Sequence, residues 1–110
     1  MSFLNWKIIR LQVPLKPSLA HGLHGNVEED SITFDFVQKY VDEIILVSEE
    51  DIKQAIKFSL EKLGILIEGS ATVAIASILN KKWKPSGKNV YLIISGRNID
   101  IQHAKEVLSG

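Results

Sequence analysis

The sequence predicts an α/β chain that carries part of a parallel sheet with flanking helices, and three observations predict it. Residues 43–48 (EIILVS) and 90–94 (VYLII) are short, continuous apolar runs rich in β-branched residues, the pattern of strands buried on both faces. Two segments of helical periodicity lie between them. A third follows the second run, so the order strand, two helices, strand, helix fits a right-handed crossover between parallel strands.

Taken in order, residues 6–13 can form a short strand, after which Pro14 and Pro17 impose extended backbone and residues 21–25 (HGLHG) bring two glycines to a loop. From Ser31, a potential cap, the residues Ile32, Phe34, Phe36, Val37, Tyr40 and Val41 recur at helical spacing, which predicts a helix over 32–41. After the first strand Ser48 stands where an N-cap belongs. Glu49, Glu50 and Asp51 follow it in the first turn, facing the positive end of the helix dipole.

That helix sets Ile52, Ala55, Ile56, Leu60 and Leu63 along one face, with Glu49/Lys53 and Lys57/Glu61 as i,i+4 pairs on the other. Gly64 ends it. Residues 65–67 form an apolar link, Glu68, Gly69 and Ser70 lead into 71–79 (ATVAIASIL), and that run, apolar all round, predicts a buried helix. Residues 80–88, with Lys81, Lys82, Lys84, Pro85 and Gly87, read as a solvated loop, and 99–108 as a terminal helix.

The 110 residues are read as one partial domain, 1–110, with no internal repeat. At 45% hydrophobic and 24% charged residues the chain is too apolar for disorder, yet two strands apolar on both faces lack the neighbours needed to cover them. Part of a larger sheet is one reading. The other is a small two-layer domain in which the strand over 6–13 completes a three-stranded sheet.

Thirteen basic residues balance thirteen acidic ones with no basic stripe, so nucleic acid is not an expected partner. No cysteine is present and the three histidines lack ligand spacing, so no metal site is expected. The opening MSFLNWKIIRLQVPL has no small-residue cleavage site and is too short and broken by polar residues to span a bilayer; a cytoplasmic protein with no membrane partner is expected.

Ligands of open α/β sheets gather beyond the carboxyl ends of strands, which points to Ser95, Gly96, Arg97 and Asn98 directly after the second run. Ser95 can donate its hydroxyl to a ligand nitrogen and Gly96 lets backbone approach closely; the plain alternative is a tight turn with Asn98 capping the next helix. Glu68, at the start of a buried helix, is either a site acid or a carboxylate held by the helix dipole. His21 and His24 have no partner carboxylate nearby in sequence and read as a glycine-loop feature. The acidic run at Glu28, Glu29 and Asp30 and the lysines around Trp83 read as solvated surface.

Together these segments resemble the threonine dehydratases, serine racemases and hydroxyectoine-utilisation dehydratases, which are fold-type II pyridoxal-phosphate enzymes. Residues 14–25 (PLKPSLAHGLHG) are similar to that family's SLADGL loop, and the stretch 26–52 around SITFDFVQKYVDEIILVSEEDI is similar to its VDE…VSEE segment. Residues 64–76 (GILIEGSATVAIA) and 90–100 (VYLIISGRNID) are similar to its IEG helix start and closing SGRNID. The resemblance implies the C-terminal part of a tryptophan-synthase-β-like large domain, with a pyridoxal phosphate pocket to which Ser95, Gly96, Glu68 and Gly22 belong. Ser95 would be the hydroxyl bonded to the cofactor's pyridine nitrogen, a neutral partner that leaves the ring unprotonated.

Two departures qualify it. His21 stands where the family has an aspartate, and no lysine of this chain has the Ser-x-Lys-x-Arg-Gly context of the family's Schiff-base lysine. The seven glycines form no run able to cradle a phosphate. The chain is therefore expected to hold part of a pocket of an L-threonine/L-serine ammonia-lyase, with no catalytic lysine of its own and no activity alone. A truncated or separately encoded piece needs an N-terminal dehydratase chain as partner; a non-catalytic remnant would instead cover its sheet by self-association as a homodimer. A small-molecule module that recruits the cofactor weakly through Ser95 is a third possibility.

Overall fold

The computed structural model describes residues 16–20, 31–87, 89–97 and 99–109, and the expected strand over 6–13 and loop over 21–25 lie outside them. The chain divides into two compact units, residues 1–16 with 25–44 and residues 17–24 with 45–110.

In the first unit, α1 runs over Ile32–Tyr40, one residue short of the sequence expectation, because Val41 turns extended (φ −85°, ψ 125°) while its N–H still bonds to the Val37 carbonyl. Ser31 occupies the N-cap, but its hydroxyl makes no capping bond. None of the helix's residues is buried. Phe36 and Tyr40, one turn apart, stack at 5.8 Å, and the Lys39 ammonium lies 5.2 Å from the Tyr40 ring.

The second unit opens its first helix, α2 (Glu49–Phe58), with a reciprocal cap. The Asp51 N–H donates to Ser48 Oγ at 3.0 Å, and the Ser48 N–H donates to Asp51 Oδ2 at 2.8 Å. These bonds hold the Asp51 carboxyl below the usual carboxylate range; the Ser48 backbone is the largest cause, partial burial opposes it, and Lys82 at 4.0 Å adds to it.

Ile52, Ala55 and Ile56 are buried as their spacing predicts, but Leu63 is 52% exposed. The cause is a π-helical turn over Ser59–Leu63, whose wider ring rotates the last residues off the apolar stripe. Ser59 takes the buried position that α-helical continuation assigns to that face, its hydroxyl donating to the Ala55 carbonyl at 2.8 Å. Gly64 closes the turn in the left-handed region (φ 68°), where glycine has no Cβ penalty.

Helix α3 (Gly69–Leu79) starts two residues before the apolar run and packs on α2. Ala55, Ile67, Ala71, Ile75 and Ala76 form one buried cluster, and small residues at both helices allow that close approach. A second cluster joins Ala20, Ile52 and Ile56 to Val107 of α4 (Ile101–Ser109). The 80–88 loop is reversed at its start by Lys81 (φ 58°), and the Trp83 N–H bonds back to the Ser77 carbonyl.

The segments expected as strands, 43–48 and 90–94, carry no strand pairing among the described residues. A strand exists only where a neighbour completes its ladder, and none is described beside either run. Leu46 is 84% exposed, Tyr91 91% and Ile93 83%, so these side chains are uncovered. The expected cap at Asn98 lies outside the described residues, and the described cap of α4 is Asp100, which accepts the His103 N–H at 2.8 Å.

Candidate functional site

Glu68 is the N-cap of α3, and its carbonyl accepts the N–H groups of Ala71 (3.0 Å) and Thr72 (3.2 Å). Its side chain makes no capping bond. The carboxylate turns instead onto the backbone of Gly96, and a β-carbon placed on Gly96 would stand 1.7 Å from Glu68 Oε1. The Glu68 N–H also faces the Gly96 carbonyl at 3.4 Å. Glycine at position 96 thus leaves room for the side chain lying over it, and any larger residue there would displace the Glu68 carboxylate.

Of the four residues singled out from sequence, the structure brings Glu68 and Gly96 together, both half-buried. Ser95 adjoins them in the chain and is exposed, its hydroxyl without a partner among the described residues. Gly22 lies outside the described residues.

Beside Glu68 opens a cavity of about 240 Å³, walled by Leu19, Ile56 and Ile99 and by the first turn of α3 at Gly69 and Ser70. Its polar rim is completed by Asp100 and His103, which sequence reasoning passed over. His103 Nδ1 lies 2.6 Å from Asp100 Oδ2, and the same carboxylate accepts the His103 backbone N–H. The Asp100 carboxyl is held below its ordinary range, chiefly by that backbone bond, next by the His103 ring against an opposing burial effect. An aspartate three residues before a histidine at a helix start is the signal that finds this pair.

Leu19 reaches the cavity from the segment 17–20. The Leu19 N–H donates to Glu49 Oε2 at 2.7 Å, Ser18 Oγ donates to Glu49 Oε1, and the Ala20 N–H bonds to Ser18 Oγ at 3.0 Å. The i,i+4 pairing of Glu49 with Lys53 expected from spacing gives way to this contact, because both carboxylate oxygens are taken by a segment 30 residues earlier. On the opposite side the Leu19 carbonyl lies against Gly69, where a β-carbon would stand 2.0 Å from it.

The Glu68 carboxylate lying over Gly96, the exposed Ser95 hydroxyl next to it and the cavity that Glu68 lines bring an acid, a hydroxyl and an apolar wall close together, the mixture of groups that small-molecule sites use. No helix among the described residues is long and apolar enough to cross a membrane.

Residues 6–96 match the family described as pyridoxal-phosphate dependent enzymes. The L-threonine ammonia-lyase of Thermotoga maritima is 42% identical over 94 residues, which cover 86% of this chain and 23% of that protein. The serine racemase of Dictyostelium discoideum is 36% identical over 104 residues, covering 92% of this chain and 32% of that one. The crystal structure of the latter superposes with a TM-score of 0.68 over 79% of this chain and 29% of its own. The chain therefore spans between 23% and 32% of the length of these relatives.

Proposed function

The chain belongs to the pyridoxal-phosphate-dependent enzymes, within the group of threonine ammonia-lyases and serine racemases, and from that premise we propose that it is the C-terminal portion of an L-threonine/L-serine ammonia-lyase. In this reading it supplies one side of a cofactor pocket and is inactive until a partner chain supplies the rest. The observation that carries it is the Glu68 carboxylate seated on Gly96, next to the exposed hydroxyl of Ser95.

Each residue has a distinct task. Ser95 would donate a hydrogen bond to the ring nitrogen of the cofactor; a hydroxyl, unlike a carboxylate, does not draw a proton onto that nitrogen. Gly96 would leave room for the Glu68 side chain, which would set a carboxylate at the pocket's edge. Gly22, which lies outside the described residues, is assigned to the same pocket only by the resemblance of residues 14–25 to the family's loop. When bound, pyridoxal phosphate supplies the electron sink that elimination of water from a hydroxy-amino acid requires.

The lysine and phosphate cradle are not in this sequence, which has no Ser-x-Lys-x-Arg-Gly and no glycine run. An N-terminal dehydratase chain is the partner that provides both, in a cytoplasmic assembly acting in amino-acid metabolism. The test mixes the purified chain with the complementary N-terminal fragment of a threonine ammonia-lyase and measures ammonia and 2-oxo acid released from L-threonine and L-serine. Turnover from the mixture and from neither component alone is expected; no association between the two would sink the split-enzyme reading.

A second reading, a non-catalytic homodimer, is favoured by the exposure of Leu46, Tyr91 and Ile93. It predicts a dimer by light scattering at micromolar concentration without any added fragment.

A further inference from the structure

We infer that Glu49 is the positioning residue of the candidate site, a two-pronged clamp that fixes the 18–20 segment and so holds Leu19 as a wall of the cavity beside Glu68. The inference deepens the cofactor-pocket reading and rests on it for its functional meaning. Its geometry stands apart from that reading.

The start of α2 is already complete without Glu49. Ser48 and Asp51 satisfy one another through backbone and side chain, and Glu50 reaches along the helix to Gln54. Glu49 does something else: both carboxylate oxygens turn back across 30 residues, one accepting the Leu19 N–H at 2.7 Å and the other the Ser18 hydroxyl. A carboxylate accepting two donors from adjacent residues fixes direction as well as distance, because the two bonds diverge from one planar group.

The held segment is tightened further by its own turn, in which Ser18 Oγ accepts from the Ala20 N–H. Its far side is closed by Gly69, which has no Cβ to push the Leu19 carbonyl away. Residues 18–20 are thus gripped between the first residues of α2 and α3. The consequences fall on the site: Leu19 lines the cavity with Glu68, and Ala20 is buried in the cluster with Ile52, Ile56 and Val107.

The test is amide hydrogen exchange of Leu19 and Ala20 in the whole chain, with Glu49→Ala, Glu49→Gln and Glu50→Ala, normalised by each variant's urea midpoint. Loss of a charge-assisted bond should accelerate Leu19 exchange about ten- to hundred-fold in Glu49→Ala. Glu49→Gln, whose amide oxygen still accepts from Leu19, should recover part of that loss, and Glu50→Ala should leave it unchanged. Equal acceleration by Glu49→Ala and Glu50→Ala would reduce Glu49 to a first-turn charge and overturn the clamp, as would unchanged exchange in Glu49→Ala.

Cofactor affinity, followed by absorbance with the complementary fragment present, gives the second readout. Glu49→Ala should weaken it at least several-fold and Glu50→Ala should not. A Glu49-specific exchange effect with unaltered affinity overturns the positioning role. If the unsubstituted chain binds no cofactor while exchange still answers to Glu49 alone, the pocket reading fails and the clamp stands.

Discussion

The carboxylate of Glu68 occupies the volume that a side chain at residue 96 would fill, so the two positions are sterically dependent. Gly96→Ala places a methyl within bonding distance of Oε1, but the obstacle is the far end of a flexible side chain. Glu68 can swing aside, so stability should fall by no more than about 1 kcal/mol while the site loses its acid. Urea melts and cofactor titration of Gly96→Ala, Glu68→Ala and the double variant check this, with the double variant expected to bind no worse than either single one.

Gly69→Ala meets a different obstacle. Alanine within a helix gains about 0.5–1 kcal/mol over glycine, but here the β-carbon would stand 2.0 Å from the Leu19 carbonyl, which is backbone. Overpacking of that kind costs about 1–3 kcal/mol, so the clash decides the sign and the variant should be destabilised. Gly87→Ala, with no atom within 4 Å of the new methyl, serves as the control in the same denaturant series.

Ile56 is fully buried against Ala20, Ile52 and Val107 and also lines the cavity. Ile56→Ala should lower the unfolding free energy by about 2–5 kcal/mol, read from the shift in denaturation midpoint.

The capping box of α2 carries a pH dependence of definite sign. Asp51 is held below its ordinary carboxyl range in the folded chain, so the stability it contributes is fully present above the unfolded value of about 3.9 and is lost as pH falls through the lower folded value. Helical ellipticity followed from pH 6 to pH 2 should drop below about pH 4, and Asp51→Asn should flatten that part of the profile.

Much of this was legible in the sequence because local chemistry decides it. Ser48 with three acidic residues, Gly64 after an apolar stripe, and the aromatic spacing from Ile32 to Tyr40 all become the helices they predict. The π turn was hidden, since Ser59 in place of an apolar residue is its only trace and a serine is tolerated on any helix face. Glu49 was assigned to Lys53 because spacing reports only neighbours four residues away, whereas its actual partners, Ser18 and Leu19, are brought to it by the fold. The Asp100–His103 pair was missed because Asn98 offered a plausible cap two residues earlier. The strands expected at 43–48 and 90–94 depend on partners the pattern cannot name, and among the described residues no ladder covers their exposed side chains.

The central claim, that this chain contributes a Ser95-centred part of a pyridoxal phosphate pocket and needs another chain for the lysine, is tested most directly by an absorbance titration with the cofactor. Borohydride reduction and peptide mass spectrometry follow, with and without an N-terminal dehydratase fragment. A cofactor spectrum that needs the fragment and is lost in Ser95→Ala, with the reduced adduct on a lysine of the fragment, is the predicted result. A single reducible adduct on a lysine of this chain alone, unaffected by Ser95→Ala, would contradict it.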